Sequence, residues 1–307
     1  MMKEKPIKYI RCFGFKLWCT NILILIFNKF NIFKHLKEKL QVSKNKQIIK
    51  YLENNYNNII EKYKKVNINT KNKNNDNNIW IFWWQGIENA PDLIKSCINS
   101  IKKHCKDKEI VIIDKNNIDK YYKMPDYISN KVNNGTISIT HLSDILRMNL
   151  LKKYGGHWID ATIFLTANPF NKNNSFNTIK FHCNEDTSIS KGRWCGFFIG
   201  GENKVFYDFM VETFNTYWKQ ETIIIDYFFI DYAISIAYNR IPIIKKEFDK
   251  ITFNNENIHK LQSFLNKKFD KKEYNELLKS NSVHKLSYKE TIDTNNKNNY
   301  YNNIIMK

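Results

Sequence analysis

Two nearby segments of the chain carry side chains that can bind an anion and a cation. Asp144 and Arg147 stand three residues apart in an otherwise apolar segment, and Asp160 follows the pair Gly155 and Gly156. The planar guanidinium of an arginine can hold a diphosphate at two points, which an ammonium cannot do. A carboxylate can hold a divalent cation that bridges phosphates, because hard cations prefer oxygen ligands. These residue types therefore indicate chemistry at a phosphorylated ligand.

Each of these residues also has a structural interpretation, which the spacing leaves open. On a helix, Asp144 and Arg147 would share one face and could neutralise each other as a buried ion pair. Asp160 could cap a turn, which is the commoner use of a lone aspartate after a strand. The presence of an arginine favours a ligand, because only four of the 49 basic residues in this chain are arginines.

The elements that must position these residues predict an α/β fold. From residue 79 onwards, short apolar runs typical of buried strands alternate with segments of helical periodicity. Strands are predicted at 79–84, 109–114, 157–160, 179–183 and 197–199, and helices at 91–104, 118–122, 127–132, 140–154, 204–219 and 226–238. This alternation predicts a mainly parallel sheet covered by helices on both faces. Ligands of such sheets bind beyond the carboxyl ends of the strands, where Asp114 and Asp160 would lie.

The segment 140–154 is predicted to be a buried helix that ends at two glycines. Its apolar residues cover most of the circumference of a helix, and Gly155 is a typical signal for a helix C-terminus. Gly155 and Gly156 also permit a tight reversal of the chain and the close approach of a bulky ligand.

We predict that residues 1–78 form a basic, partly helical extension and linker, and that residues 79–307 form the main domain. Residues 1–40 mix aromatic and aliphatic residues with lysines, and two interpretations are equally open. The segment could lie on an acidic lipid surface as a basic amphipathic helix, or it could pack on the main domain. Residues 67–78 are rich in asparagine and lysine and predict a linker or an exposed loop.

Composition and charge exclude some classes of protein. The chain has 42% hydrophobic and 15% aromatic residues, enough for a sizeable core, which excludes wholesale disorder. The net charge of +19 is typical of proteins that bind nucleic acid or anionic membranes. Lysine, asparagine and isoleucine are abundant together, however, as AT-rich codon usage would produce, so we expect no nucleic-acid partner.

The sequence also predicts a cytoplasmic protein. The longest apolar run, residues 22–27, is too short for a transmembrane helix, and lysines follow it without a signal-peptide cleavage site. The six cysteines form no zinc-binding pattern, and they fit a reduced cytosolic chain as well as a secreted domain with disulfides.

The segment from Asp144 to Asp160 reads Asp-x-x-Arg and then Tyr-Gly-Gly-x-Trp-Ile-Asp. It resembles the nucleotide-sugar signature of capsular polysaccharide synthesis glycosyltransferases. That family is in turn similar to the D-x-D mannosyltransferases and to the large clostridial toxin glycosyltransferases. Residues 79–86, 109–114, 225–231 and 284–289 also resemble family segments, so the resemblance covers about residues 79–290.

The resemblance implies a glycosyltransferase-A (GT-A) type, Rossmann-like fold and a nucleotide-diphosphate sugar as donor substrate. By position in the motif, Asp144 would hydrogen-bond hydroxyls of the donor sugar, and Arg147 would contact the sugar or the diphosphate. Asp160 would contact the ribose and the metal shell. Either Trp83 or Trp84 would stack on the base, and the other would pack in the core.

The resemblance further implies a divalent cation, Mn²⁺ or Mg²⁺, at Asp160. The D-x-D families end this motif with a second aspartate that binds the metal, whereas this chain carries Thr162, whose hydroxyl is neutral. We expect Asp160 and Thr162 to form the metal site. Lys285 is expected to close over the diphosphate, although a solvated basic tail would give the same pattern.

Two carboxylates, Asp226 and Asp231, are the candidates for catalysis. They flank the start of a predicted aromatic helix, and either could face the acceptor. Asp226 could instead cap that helix or lie in its first turn.

These expectations together predict a hexosyltransferase at the inner face of the membrane. Its donor would be a nucleotide-diphosphate sugar, its acceptor a surface polysaccharide or a glycolipid, and the anomeric configuration would be retained. The enzyme would act mainly by neutralising charge on the leaving diphosphate. Two alternatives stay open: a glycosyltransferase that acts on a protein acceptor, and a non-enzymatic basic protein that binds nucleic acid or a membrane.

Overall fold

The computed structural model describes residues 4–30, 34–67, 77–170, 175–183 and 185–307 of the chain, so most of the predicted linker at 67–78 lies outside the described residues. The helices in this part of the chain are α1 Glu4–Phe13, α2 Phe15–Phe30, α3 Lys34–Asn55, α4 Asn57–Lys64, α5 Asp92–His104, α6 Ile118–Tyr121, α7 Asp126–Asn133, α8 Ile139–Tyr154, α9 Lys204–Gln220, α10 Phe229–Arg240, α11 Pro242–Asp249 and α12 Lys271–Ser280. The strands are β1 Asn78–Phe82, β2 Glu109–Ile113, β3 His157–Ile159, β4 Ile163–Leu165, β5 Phe176–Thr178, β6 Phe198–Gly201 and β7 Val283–Lys285.

Five strands form a central sheet in the order β2-β1-β3-β6-β5, which confirms the α/β class. The sheet is mixed, because β1 pairs in parallel with β2 and β3, whereas β6 pairs antiparallel with β3 and β5. The prediction of a mainly parallel sheet is therefore wrong for the β3-β6-β5 half. For β6 to run parallel to β3, the chain would have to cross over the sheet between them, usually through a helix. The described residues between β3 and β6 contain no helix.

The predicted strand at 179–183 is also wrong. The edge strand β5 lies earlier, at Phe176–Thr178. Beyond it, the amide of Phe181 bonds to the carbonyl of Gly192 at 3.0 Å, and the amide of Lys180 bonds to the side chain of Asn254 at 3.0 Å. Neither partner belongs to a strand, and Asn254 comes from a distant part of the chain, so local apolar periodicity could not reveal these bonds.

Apolar side chains of the sheet alternate between its two faces and fill a core on each side. Trp80 and Trp158 lie in the core beneath α8, α9 and α10. Ile81 and Ile159 lie in the opposite core, with α5 and with the separate antiparallel pair of β4 and β7. Helices therefore cover both faces, as the strand and helix alternation predicts.

The turn between α8 and β3 depends on its second glycine. The helix ends where the amide of Gly155 bonds to the carbonyl of Leu151 at 3.1 Å. Gly156 has a φ of +80°, and a Cβ there would lie 2.4 Å from the backbone oxygen of Asn78 on β1. A side chain would therefore be strained and would push β3 away from β1. The close approach at Gly156 is between two strands, rather than to a ligand.

The N-terminal helices pack against α9 and α10. Ile48 and Leu52 of α3 are buried in the same core as those helices. The side chain of Asn45 donates a hydrogen bond to the carbonyl of Thr187 at 2.9 Å and accepts one from the hydroxyl of Tyr232 at 2.7 Å. In the described part of the chain, no helix has the length and apolar character needed to cross a membrane.

Candidate active site

Arg147 lies between two carboxylates that come from different elements. On α8, its Nη1 is 3.1 Å from Oδ1 of Asp144, and its Nη2 is 3.2 Å from Oδ1 of Asp160, which follows β3. The guanidinium also stacks over the ring of Trp158, with its Cζ 4.9 Å from the ring centre. Arg147 is 4% exposed, so its charge is held almost wholly inside the protein. Because the guanidinium of Arg147 contacts both carboxylates, it fixes the end of β3 relative to α8.

A second cation reaches Asp160 from the C-terminal part of the chain. Nζ of Lys285 on β7 lies 2.7 Å from Oδ2 of Asp160 and 2.6 Å from Oγ1 of Thr162. Trp158 donates its indole N–H to Oδ1 of Asp160 at 2.8 Å. Burial alone would raise the pKa of Asp160, but Lys285 and Arg147 outweigh it and hold the pKa below its ordinary value. Asp160 therefore stays ionised at neutral pH.

A cavity of about 220 Å³ opens beside Asp160 and Thr162. Both tryptophans of the predicted base site line it, together with Ser143 of α8 and Tyr288. The rings of Trp83 and Tyr288 meet edge to face at 5.3 Å, whereas Trp84 packs against Phe82 at 6.1 Å. The cavity is thus lined by several aromatic side chains and by the ion-paired aspartate.

The structure separates the two predicted catalytic carboxylates. Asp226 lies before α10, which begins three residues after the start of the helix predicted at 226–238. Its Oδ2 pairs with Nζ of Lys44 at 2.7 Å, and its Oδ1 accepts the amide of Phe228 at 2.9 Å. The N-cap position of α10 is Phe228, so the interpretation of Asp226 as the helix N-cap is wrong. Neither carboxylate lines the cavity described above.

Asp231 lies closer to the ionic cluster of the site. On α10, its Oδ1 accepts the indole N–H of Trp194 at 3.0 Å. The pKa of Asp231 is raised to about 6, mainly by burial, with further increases from the charges of Asp144 and Asp226. The hydrogen bond from Trp194 and the charge of Arg147 lower it in part. Tyr227, in the exposed segment before α10, also lies within electrostatic reach of Asp144 and Asp160, which add to the effect of burial in raising its pKa.

No role for Trp158, Tyr288 or Lys44 was predicted from the sequence. Trp158 and Tyr288 stood inside segments of the recognised motifs, so their position alone could have suggested a role. Lys44 carried no such signal, because it lies on α3, far along the chain from the aspartate it pairs with. His141 accepts the indole N–H of Trp218 at 2.9 Å and is buried, in line with a structural histidine.

The side chains at the expected metal site do not fit a divalent cation as they are arranged. The ammonium of Lys285 lies between the carboxylate of Asp160 and the hydroxyl of Thr162, the two oxygens expected to bind the metal. Among the residues that the structure describes, no group of three histidine, cysteine or acidic side chains could hold a metal ion. The expected Mn²⁺ or Mg²⁺ therefore stays a prediction that this arrangement does not favour.

Ligands of α/β sheets typically bind beyond the carboxyl ends of the strands, and the cavity lies there, at the ends of β1 and β3. Residues 28–304 match the family described as capsular polysaccharide synthesis protein, and the chain belongs to that family. The match also includes α3 and α4, which the sequence motifs did not cover.

The chain is also similar to one curated fungal protein over a limited stretch. It is 31% identical over 99 residues to the O-glycosyltransferase braB of Annulohypoxylon truncatum. The stretch represents 29% of this chain and 24% of the relative, so the chain spans about a quarter of that protein's length. No solved structure matches the chain.

Proposed function

We propose that this protein is a glycosyltransferase that moves a hexose from a nucleotide-diphosphate sugar to a growing surface polysaccharide or glycolipid. One observation carries the proposal: Asp160, held between Arg147 and Lys285, borders a cavity that Trp83, Trp84 and Tyr288 also line. Membership of the capsular polysaccharide synthesis family and the similarity to an O-glycosyltransferase support the same class of reaction. We assign the GT-A type of fold as part of this proposal.

The exposure of the two cations suggests different roles for them. Lys285 is 22% exposed and borders the cavity through Thr162, so we assign to it the contact with the diphosphate. Arg147 is 4% exposed and already holds two carboxylates, so we assign to it the positioning of Asp144 and Asp160. In this arrangement Asp144 would bind hydroxyls of the donor sugar, and Asp160 would bind the ribose.

Asp231 is the carboxylate we propose for the acceptor side. Its ionised form could accept a hydrogen bond from the acceptor hydroxyl and orient it for attack. Its electrostatic contact with Asp144 and Arg147 supports a place next to the donor sugar. Asp226 is less suited, because the ion pair with Lys44 already engages it.

The decisive experiment measures the transfer and hydrolysis of UDP- and GDP-sugars by the purified protein. We expect turnover of at least one donor. We expect Asp160→Asn to reduce kcat about 100-fold or more, because it removes the ion pair that holds Lys285 for the diphosphate, and an electrostatic contact at the leaving group is typically worth that much. Asp208→Asn is the matched control, because Asp208 also pairs with two lysines but lies away from the cavity. Equal turnover by both variants would refute the assignment.

The acceptor class can be tested in the same preparation. We expect radiolabel from the donor to enter lipid-linked glycan in a membrane extract. Label that enters protein instead would favour the protein-acceptor alternative. Binding to DNA with a steep salt dependence, and no binding of nucleotide sugars, would favour the non-enzymatic alternative.

We further propose that α2 holds the enzyme on an anionic membrane surface. Leu17, Thr20 and Ile24 of this helix face the core, and the opposite face is apolar as well, with exposed side chains at Phe15, Ile22, Leu23, Leu25 and Ile26. An exposed apolar helix face is uncommon in a soluble protein and is typical of an interaction surface.

Charge around this face favours a lipid partner. Exposed basic side chains are numerous in the described part of residues 6–40, whereas Glu38 is the one exposed acidic side chain there. Such cations attract anionic lipid headgroups, while the apolar face enters the interface. All six cysteines are unpaired, which fits the reducing cytoplasmic side of the membrane.

Vesicle sedimentation tests the membrane surface without any assumption about catalysis. We expect binding to vesicles of phosphatidylcholine with phosphatidylglycerol, weaker binding to phosphatidylcholine alone, and loss of binding in an Ile22→Ser/Ile26→Ser variant. Phe253→Ser is the control, because Phe253 is an exposed apolar residue elsewhere in the fold. A dimer that the double variant abolishes, without vesicle binding, would assign the face to a second copy of the chain.

A further inference from the structure

The ammonium of Lys285 occupies the position expected for a divalent cation. It lies 2.7 Å from Oδ2 of Asp160 and 2.6 Å from Oγ1 of Thr162. We propose that Lys285 replaces the metal ion, so that the protein binds its donor and transfers the sugar without a divalent cation. This inference rests on the proposed nucleotide-sugar function and specifies how that site would work.

The backbone holds Lys285 at this position. On β7 it lies opposite Ile163 of β4, next to Thr162, and the following amide, of Leu286, bonds to the carbonyl of Thr162 at 2.9 Å. Its own amide bonds to the carbonyl of Ile258 at 2.8 Å. The ammonium also lies over the ring of Phe197, 4.6 Å from the ring centre. The cation is therefore placed by a strand pair and an aromatic ring, rather than by a flexible tail.

The charges at the site also disfavour an added metal ion. One carboxylate and one neutral hydroxyl face the ammonium, so the charges of Asp160 and Lys285 cancel. A divalent cation at the same oxygens would stand next to the ammonium and repel it. Metal sites for hard cations normally supply several oxygen ligands, and Thr162 replaces a ligand that would have been anionic. Lys285 makes two hydrogen bonds here, which leaves its third N–H for a phosphate oxygen.

The bonds, electrons and protons of the transfer are all accounted for without a metal ion. The bond between the anomeric carbon and the diphosphate oxygen breaks, and its electron pair stays on that oxygen. The acceptor hydroxyl oxygen forms the new bond to the anomeric carbon, and its proton passes to the departing diphosphate. Lys285 donates a hydrogen bond to the diphosphate as negative charge develops on it, which is the task that a cation performs in metal-dependent transfer.

The experiment compares UDP and GDP binding, and the hydrolysis of their sugars, in EDTA and in Mn²⁺. For the protein as purified, we expect the dissociation constant and kcat to agree within about twofold between the two buffers. In Lys285→Ala we expect kcat to fall about 100-fold in EDTA and to recover in part with Mn²⁺, because a vacated site can accept the metal. Lys285→Arg, which keeps the charge, should retain more activity in EDTA than Lys285→Ala.

Thermal melting establishes that the variants fold, and Lys204→Ala is the matched control, since Lys204 also pairs with an aspartate. Binding or turnover that EDTA abolishes and Mn²⁺ restores in the unaltered protein would overturn the inference and leave the proposed function intact. Failure to bind any UDP- or GDP-sugar in either buffer would overturn the proposed function and the inference with it.

Discussion

Arg147 and Asp160 are joined by a contact of 3.2 Å between Nη2 and Oδ1, although a helix end, two glycines and a strand separate them in the sequence. The other terminal nitrogen of the same guanidinium, Nη1, lies 3.1 Å from Oδ1 of Asp144. The arginine therefore links the helix that carries one candidate donor ligand to the strand end that carries the other. Because Arg147 is buried, its contacts support the structure of the site, and its guanidinium also supplies positive charge there.

Arg147→Ala should destabilise the fold by about 3–5 kcal/mol, because it leaves the buried carboxylate of Asp144 without its partner. Arg147→Lys should cost less stability, but it should still lower transfer, since one ammonium cannot hold two carboxylates in a planar fork. Urea unfolding and donor hydrolysis measure the two effects. The control is Arg240→Lys, which alters a half-exposed pair with Glu53 and should change stability by at most about 0.5 kcal/mol.

The titration of Asp231 should appear in the pH dependence of stability. Its pKa of about 6 in the folded protein lies above its ordinary value, so the folded state holds the proton more tightly than the unfolded state. The associated stability is present in full below the ordinary pKa and is lost as the pH rises through about 6. Asp231→Asn should therefore stabilise the protein at pH 8 by about 1–3 kcal/mol and much less at pH 4, as measured by urea unfolding.

Ionisation of Asp231 should raise activity, although it lowers stability. If ionised Asp231 orients the acceptor, kcat should rise with pH through about 6 in the unaltered protein, and Asp231→Asn should remove that step. Asp144, Arg147 and Asp226 also act on this carboxylate, so Asp226→Asn serves as the comparison and should leave the step in place. A step that persists in Asp231→Asn would assign the titration to another group.

The parts of the site that could be predicted from sequence are those with local signals. Helix α8 and its end at Gly155 follow from apolar periodicity and a glycine pair, and they place Arg147 and Asp160 on neighbouring elements. The antiparallel direction of β6 was missed, although the sequence carried a signal for it, because no helix is predicted between residues 160 and 197 to make a parallel crossover. Lys285 was expected at the diphosphate, but its hydrogen bonds to Asp160 and Thr162 could not be predicted, since they depend on the pairing of β7 with β4.

Gly156→Ala should be far more damaging than its small volume suggests. The added Cβ would lie 2.4 Å from the backbone oxygen of Asn78, and the φ of +80° is unfavourable for an alanine. We expect a loss of stability well above 1 kcal/mol, measured by urea unfolding, together with reduced transfer because β3 would shift. Gly135→Ala separates the effect of backbone strain from that of the steric clash, since Gly135 has a φ of +74° but open space around it. Equal losses in both variants would mean that backbone strain alone, and not the approach of β1, explains the effect.

The two tryptophans at the end of β1 should differ in their effect on nucleotide binding. Both line the cavity, and each packs against one of the two cores. They differ in their ring contacts, because Trp83 meets Tyr288 edge to face, whereas Trp84 packs against the buried ring of Phe82. The indole nitrogen of Trp83 has no hydrogen-bond partner among the described residues, so a ligand that displaces Tyr288 could bind it. We therefore expect Trp83 to contact the base of the donor.

Trp83→Ala should weaken UDP or GDP binding about tenfold or more, since the stacking of a base on an aromatic ring is worth roughly 1–3 kcal/mol. Trp84→Ala should mainly lower the melting temperature and change the dissociation constant by at most about threefold, because its ring packs against the buried ring of Phe82. Calorimetric titration of both variants, at a temperature where each is folded, measures the difference. A larger loss of binding in Trp84→Ala than in Trp83→Ala would reverse the assignment and place the base against the α8 side of the cavity.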